Sequence, residues 1–230
     1  LPVYTFATSA LAGVSAEEAA QLGGPTLTLF GAEKAGNKEG TIPPYTGTGV
    51  KAPPRWDPKN PGQRPDPYGE KPLFSITAQN AAQYADKLDA MIEVFKRYPN
   101  FRMDVYPSHR DWVFPQYVLD NTVKNATACR AVDQELKLEG CHGGVPFPIP
   151  KTGNEAMWNH ITSYQAWTVD RKSESWIVPA SGEPVLVNRG KHLQNWPYYD
   201  PDRKEPLPTD SLCYRYLGKT EAPARAAGGQ

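Results

Sequence analysis

Between Asn37 and Tyr68 the chain carries Pro43, Pro44, Pro53, Pro54, Pro58, Pro61, Pro65 and Pro67. Each proline holds φ at about −65° and removes a backbone donor, so neither a helix nor a central strand survives this stretch. Tyr45, Trp56 and Tyr68 lie among the prolines, whereas disordered linkers are poor in rings. The segment is therefore expected to be an ordered, extended arm on the protein surface, pinned by its aromatics. The competing reading is a docking motif for a proline-binding module, but no compact basic P-x-x-P ligand stands out.

The rest of the chain is organised around that arm. Its 230 residues suit one large domain or two small ones. Twenty-five basic side chains balance 25 acidic ones, which argues against nucleic-acid binding by charge. No stretch approaches the roughly 18 apolar residues of a membrane span. Leu1 to Ala12 is apolar and uncharged and ends in Ala10-Leu11-Ala12, the small-x-small pattern of a secretory cleavage site before Gly13. Residues 1–12 thus read as the tail of a signal peptide, the alternative being an ordered apolar arm. Residues 13–70 read as a short helix plus the proline-rich arm, and residues 71–230 as one domain continued in a longer protein.

Ser15 to Leu22 reads as a helix capped by Ser15 and stopped by Gly23-Gly24. Ala81, Tyr84, Leu88, Met91, Phe95 and Tyr98 recur at alternating spacings of three and four. This is an amphipathic stripe, and it predicts one helix over Thr77–Tyr98 or two joined near Asp86–Asp89. Pro115–Arg130 and Thr152–Tyr164 are further helices, the first with Val118, Leu119, Val123 and Ala126 on one face. Ala166–Val178 reads as strand, turn, strand, and Pro184–Arg189 and Leu212–Leu217 as further strands. Helices followed by an antiparallel meander predict an α+β fold. Cys129 and Cys141 lie 12 positions apart. An oxidising compartment favours a bridge between them, worth roughly 2–3 kcal/mol on the chain-entropy model; two unrelated buried thiols are the alternative. Cys213 is expected to be free or paired to another chain.

Catalytic signatures are poor. Ser108-His109-Arg110-Asp111 holds triad residue types, but sequence neighbours point in different directions and no G-x-S-x-G elbow exists. The four histidines never fall at metal-binding spacing, and no phosphate-binding G-x-x-x-x-G-K-[ST] loop occurs. Neither an enzyme nor a cofactor is expected.

Four runs share a pattern: Leu29–Gly47, Asp66–Leu88, Arg97–Arg110 and, most specifically, Gly143–His160 (GGVPFPIPKTGNEAMWNH). Together they resemble a family of bacterial exported proteins of unknown function, described as outer-membrane lipoprotein-sorting-like and often encoded beside RND-type exporters. The resemblance is good over roughly residues 15–165. It implies a fold like the LolA and LolB lipoprotein carriers: a curved antiparallel sheet wrapped around helices, completed by strands beyond Arg225, with an apolar cavity for acyl chains. It carries no catalytic residue. Within GGVPFPIP, prolines force an extended path that places Phe147 and Ile149 on one side; the strip is either a cavity wall or a core-packed connection. Met157, Trp158 and Ile161 share a helical flank. They are expected to face Trp167, Trp176 and Val178 of the sheet, with Phe147 and Ile149 closing one end of a lipid cavity. The expected role is a periplasmic, non-enzymatic carrier of a lipid or other hydrophobic small molecule, at the outer membrane or beside an RND-type transporter. The alternative is a structural subunit of an envelope complex whose arm wraps a partner.

Overall fold

The computed structural model describes residues 13–60, 64–207, 214–226 and 228–229. The expected signal-peptide segment 1–12 and Cys213 lie outside them. Contacts group the chain into two compact units: one formed by the chain up to Lys34 together with Phe114 onward, the other by Ala35–Val113.

The first unit opens with α1 (Ala16–Ala19). Ser15 accepts from the Glu18 amide and Glu18 reaches back to the Ser15 amide, a reciprocal capping box. After the second unit comes α4 (Gln116–Ala128), followed by the hairpin β3 (Arg130–Val132) and β4 (Lys137–Glu139). Pro115 stands just before α4 as its cap rather than in its first turn. Val118 and Ala126 are buried, but Val123 is 39% exposed and Thr122 and Asn125 are fully buried instead. The buried face of α4 is thus rotated from the purely apolar one expected, because its polar residues receive the following loop. Thr122 Oγ1 accepts from the Val145 amide at 2.9 Å. Asn125 accepts from the His142 amide at 2.7 Å and donates to the carbonyls of His142 and Val145. The backbone amides and carbonyls of both His142 and Val145 are thus bonded to side chains of α4. Gly144 sits so close to α4 that a Cβ would lie 2.5 Å from the Thr122 backbone nitrogen.

The bridge Cys129–Cys141 joins the end of α4 to this loop, with Cα atoms 4.4 Å apart and both residues wholly buried. Around it lie Val118, Leu138, Phe147, Tyr198, Tyr199 and Leu207. Tyr198 donates to the Gly144 carbonyl and Tyr199 to the Thr162 carbonyl. Burial pushes both phenols far above their ordinary range, so they stay protonated donors. The helix α5 (Gly153–Ile161) is capped by Thr152, whose hydroxyl accepts from the Glu155 amide.

A four-stranded antiparallel sheet ends the unit: β5 (Thr168–Ile177), β6 (Val185–Asn195), β7 (Arg215–Ala222) and β8 (Gly228–Gly229), in that spatial order and not closed into a barrel. The expected strand-turn-strand at Ala166–Val178 is one continuous strand with a register shift at Ser175/Trp176.

The second unit pairs β1 (Phe74–Thr77) with β2 (Arg102–Val105) and sets α2 (Ala85–Leu88) and α3 (Met91–Arg97) between them, after a 3₁₀ turn at Ala81–Tyr84. Ile76, Ala81, Leu88 and Phe95 form its core. The expected stripe is there from Ala81 to Phe95, but Tyr98 is exposed and Thr77 belongs to a strand. Helix continuity breaks at Asp89, whose φ is 43°. The described part of the proline-rich arm has no helix or strand. Its contacts run to residues 109–112. Tyr68 stacks on His109 with centroids 3.7 Å apart, and Glu70 meets the same imidazole at 2.9 Å. Arg110 donates to the Ala35 and Pro43 carbonyls, and Tyr45 to that of Trp112. Tyr45 is half-buried, while Trp56 and Tyr68 keep 38% and 40% exposure. The fold is α+β.

Candidate functional site

The long strand β6 lies between β5 and β7, and both faces of this sheet stay largely open to solvent. Alternation puts Arg189, Lys191, Leu193 and Asn195 of β6 on one face. Register adds their direct partners: Leu193 stands opposite Leu217, and Lys191 lies between Lys172 of β5 and Lys219 of β7. Leu193 and Leu217 are 48% and 63% exposed. Lys191, Leu193, Leu217 and Lys219 flank an open apolar groove of about 460 Å³, with His192, Gly218 and Gly228 completing its lining. That volume lies within the 300–1,000 Å³ typical of small-molecule sites.

Charge on this face is uneven. Glu221 pairs with Lys191 at 2.9 Å. The hydrogen bond from Lys191 holds the Glu221 carboxyl below the usual carboxylate range, and the charges of Lys219 and Lys172 add to that effect. Arg189 pairs with Glu174 at 2.6 Å. Lys172 and Lys219 form no ion pair among the described residues. On the opposite face His192 bridges three strands: Ser173 Oγ lies 3.0 Å from Nε2, and the Tyr216 hydroxyl meets Nδ1. The Tyr216 ring lies over Gly218, where a Cβ would stand 2.4 Å from its hydroxyl. Glycine there leaves room for the ring, and the His192 clasp fixes β5, β6 and β7 in register beneath the groove.

Among the described residues no group of three or more His, Cys, Asp or Glu side chains is placed to hold a metal ion. No described helix is long and apolar enough to cross a membrane.

Comparison with known proteins places this arrangement. A family model described as a protein of unknown function, DUF1329, matches residues 75–230. The chain belongs to the DUF1329 family. It is also similar to an uncharacterized protein of Pseudomonas aeruginosa, 38% identical over 234 residues. That alignment covers 99% of this chain and 50% of the relative, so the chain spans about half the length of the curated relative it matches. No solved structure matches it significantly.

The residues expected to line a cavity are dispersed in this DUF1329 chain. Phe147 is buried in the core, its backbone held at both ends by Asn159. It lines a small cavity of about 190 Å³ with Ile149, Glu18, Lys151 and Glu155. Trp158 packs against the core and donates to the Glu135 carbonyl at 2.8 Å. Met157 and Ile161 are 54% and 59% exposed, so the sheet does not cover that flank of α5. Trp167, Trp176 and Val178 are exposed along β5 and just beyond it. The open groove lies on Leu193 and Leu217. Leu217 is the one leucine of the largely polar β7, and Leu193 is separated from the apolar start of β6 by Asn188 to His192, so only strand register brings the two together.

Proposed function

We propose that this DUF1329 chain is a non-enzymatic binding protein for a hydrophobic, lipid-like ligand, working in the periplasm or at the periplasmic face of the outer membrane and serving an envelope transporter of the RND type. The LolA-like idea of a curved sheet with an acyl-binding surface belongs to this reading. Its main support is the groove between Leu193 and Leu217: paired apolar side chains left exposed at the centre of an ordered sheet. Each acyl CH₂ removed from water there contributes about 0.8 kcal/mol, so a short length of chain binds with few polar contacts. The sparse catalytic signatures of the sequence agree with a binding role.

The test is titration of the purified protein with a fluorescent fatty acid. Saturable binding is expected, weakened about ten-fold or more by Leu217→Asp, which places a charge among the apolar contacts. Because Leu217 is largely exposed, the variant should keep the parent's circular dichroism and disulfide. A folded parent with no saturable uptake, or a Leu217→Asp variant with undiminished uptake, would overturn the reading.

A further inference from the structure

We propose that the groove is selective for an anionic lipid, whose carboxylate or phosphate head sits on the row Lys172–Lys191–Lys219 while its chain lies on Leu193 and Leu217. This inference rests on the binding function proposed above and names its ligand class.

The argument starts from register. Lys172, Lys191 and Lys219 stand directly opposite one another on three neighbouring strands. Adjacent strands are about 4.8 Å apart, so the row puts three ammonium-bearing stems within a span of about 10 Å. Like charges directly opposite each other destabilise a sheet. A row of three is therefore a local cost, and among the described residues Glu221 is the one that offsets it by ion pairing, at Lys191. Among the described residues of this face the cations are Lys172, Arg189, Lys191, Arg215 and Lys219 and the anions Asp170, Glu174 and Glu221. Arg189 and Glu174 neutralise each other. Asp170 stands opposite Leu193, in the row of the leucine pair and two residues from Lys172 along β5, and makes no ion pair among the described residues. The cations of this face that form no ion pair among the described residues are Lys172, Lys219 and Arg215, and the first two are the outer members of the row.

Geometry couples this charge to the apolar surface. Leu193 is two residues from Lys191 along β6, and Leu217 two from Lys219 along β7, a separation of about 7 Å. The lysine stems are aliphatic and extend the apolar wall while their ammonium groups stay in water. A ligand with one anionic head and one alkyl chain satisfies both halves of the site at once. A neutral alkyl chain satisfies only the leucines, and a small anion only the lysines.

The experiment compares a fluorescent fatty acid with its methyl ester, on the whole chain at low ionic strength. The acid should bind about three- to ten-fold more tightly than the ester, as expected for a few solvent-exposed charge contacts. The preference should shrink in 0.5 M salt, where screening acts within a few ångströms. The acid-over-ester preference should vanish in the triple variant Lys172→Gln, Lys191→Gln, Lys219→Gln and return when the three positions carry arginine. Glu221→Gln should widen the preference, because it removes the competing anion. Equal binding of acid and ester, or a preference that survives the triple glutamine variant, would defeat the head-group assignment while leaving the groove intact. If neither probe binds the folded protein, the groove itself is refuted and the assignment with it.

Discussion

At the scale of single residues, much depends on polar side chains buried where apolar ones would be expected. Thr122 and Asn125 hold the loop His142–Val145 through four hydrogen bonds to its backbone. The adjoining Cys129–Cys141 bridge closes the same loop onto α4. His142 sits in the middle of this arrangement. Partial burial lowers its pKa, the nearby Lys124 charge lowers it further, and Glu205 pulls the other way. The unfolded chain, with its histidine near the ordinary value of about 6.5, therefore binds the proton more readily than the folded one. Stability should fall as pH drops below about 6.5, and continue to fall until His142 charges in the folded state as well. Glu18, Asp104 and Glu221 have lowered pKa values, so their contributions begin to fade only as pH falls into the ordinary carboxylate range and are lost as it falls on through their folded values. Urea midpoints at pH 7.5 and 5.0 isolate the histidine: a drop is expected in the parent and a smaller one in His142→Gln. The same drop in both proteins would show that His142 does not govern this window.

At the scale of elements, local chemistry was readable and register was not. The Ser15 cap, the α4 and α5 helices and the disulfide all follow from residues close together in sequence. The sheet is different. Lys172-Ser173-Glu174-Ser175 looks like a turn because it is polar throughout, yet a strand solvated on both faces has no reason to alternate apolar and polar residues. The antiparallel pair β1–β2 and the hairpin β3–β4 have strands of only three or four residues and leave little periodic signal. The groove was equally hidden, since pairing Leu193 with Leu217 requires knowing which strands meet and where. Helix breaks are also legible only in part. The stripe from Ala81 to Phe95 suggested either one helix or two, and Asp89 decides for two by adopting φ 43° and ψ −131°. That conformation is costly for any residue with a Cβ and open to glycine. Asp89→Gly should therefore stabilise the second unit by about 1 kcal/mol, visible as a higher thermal midpoint. A lower midpoint would mean that the aspartate side chain contributes more than its backbone strain costs.

At the scale of the whole molecule, the chain order conceals a discontinuous unit. The residues up to Lys34 and those from Phe114 onward share one set of contacts, and Ala35–Val113 forms a second set inserted between them. Each has its own core, one around the disulfide and the buried tyrosines, the other around Ile76, Leu88 and Phe95. The proline-rich arm belongs to the inserted unit. Its rings and carbonyls are bound by His109, Arg110 and Trp112 of that same unit, contacts that help offset the entropy of ordering so long a loop. Insertion is tolerated where the flanking ends lie close together. Here the rings of Phe30 and Phe114 meet edge to face at 5.1 Å, near both junctions. A connector of about eight residues, at about 3.5 Å each when extended, has ample reach between Lys34 and Phe114. A chain in which residues 36–112 are replaced by such a Gly/Ser connector is thus expected to fold, with Cys129 and Cys141 resistant to alkylation. Since Leu193, Leu217 and the lysine row all lie in the retained unit, it should also bind the fluorescent fatty acid within about three-fold of the parent, a difference of less than 1 kcal/mol. Reactive thiols and a collapsed circular dichroism spectrum would show that the first unit depends on the second for its stability. A folded chain that no longer binds would move the ligand site out of the sheet and into the inserted unit.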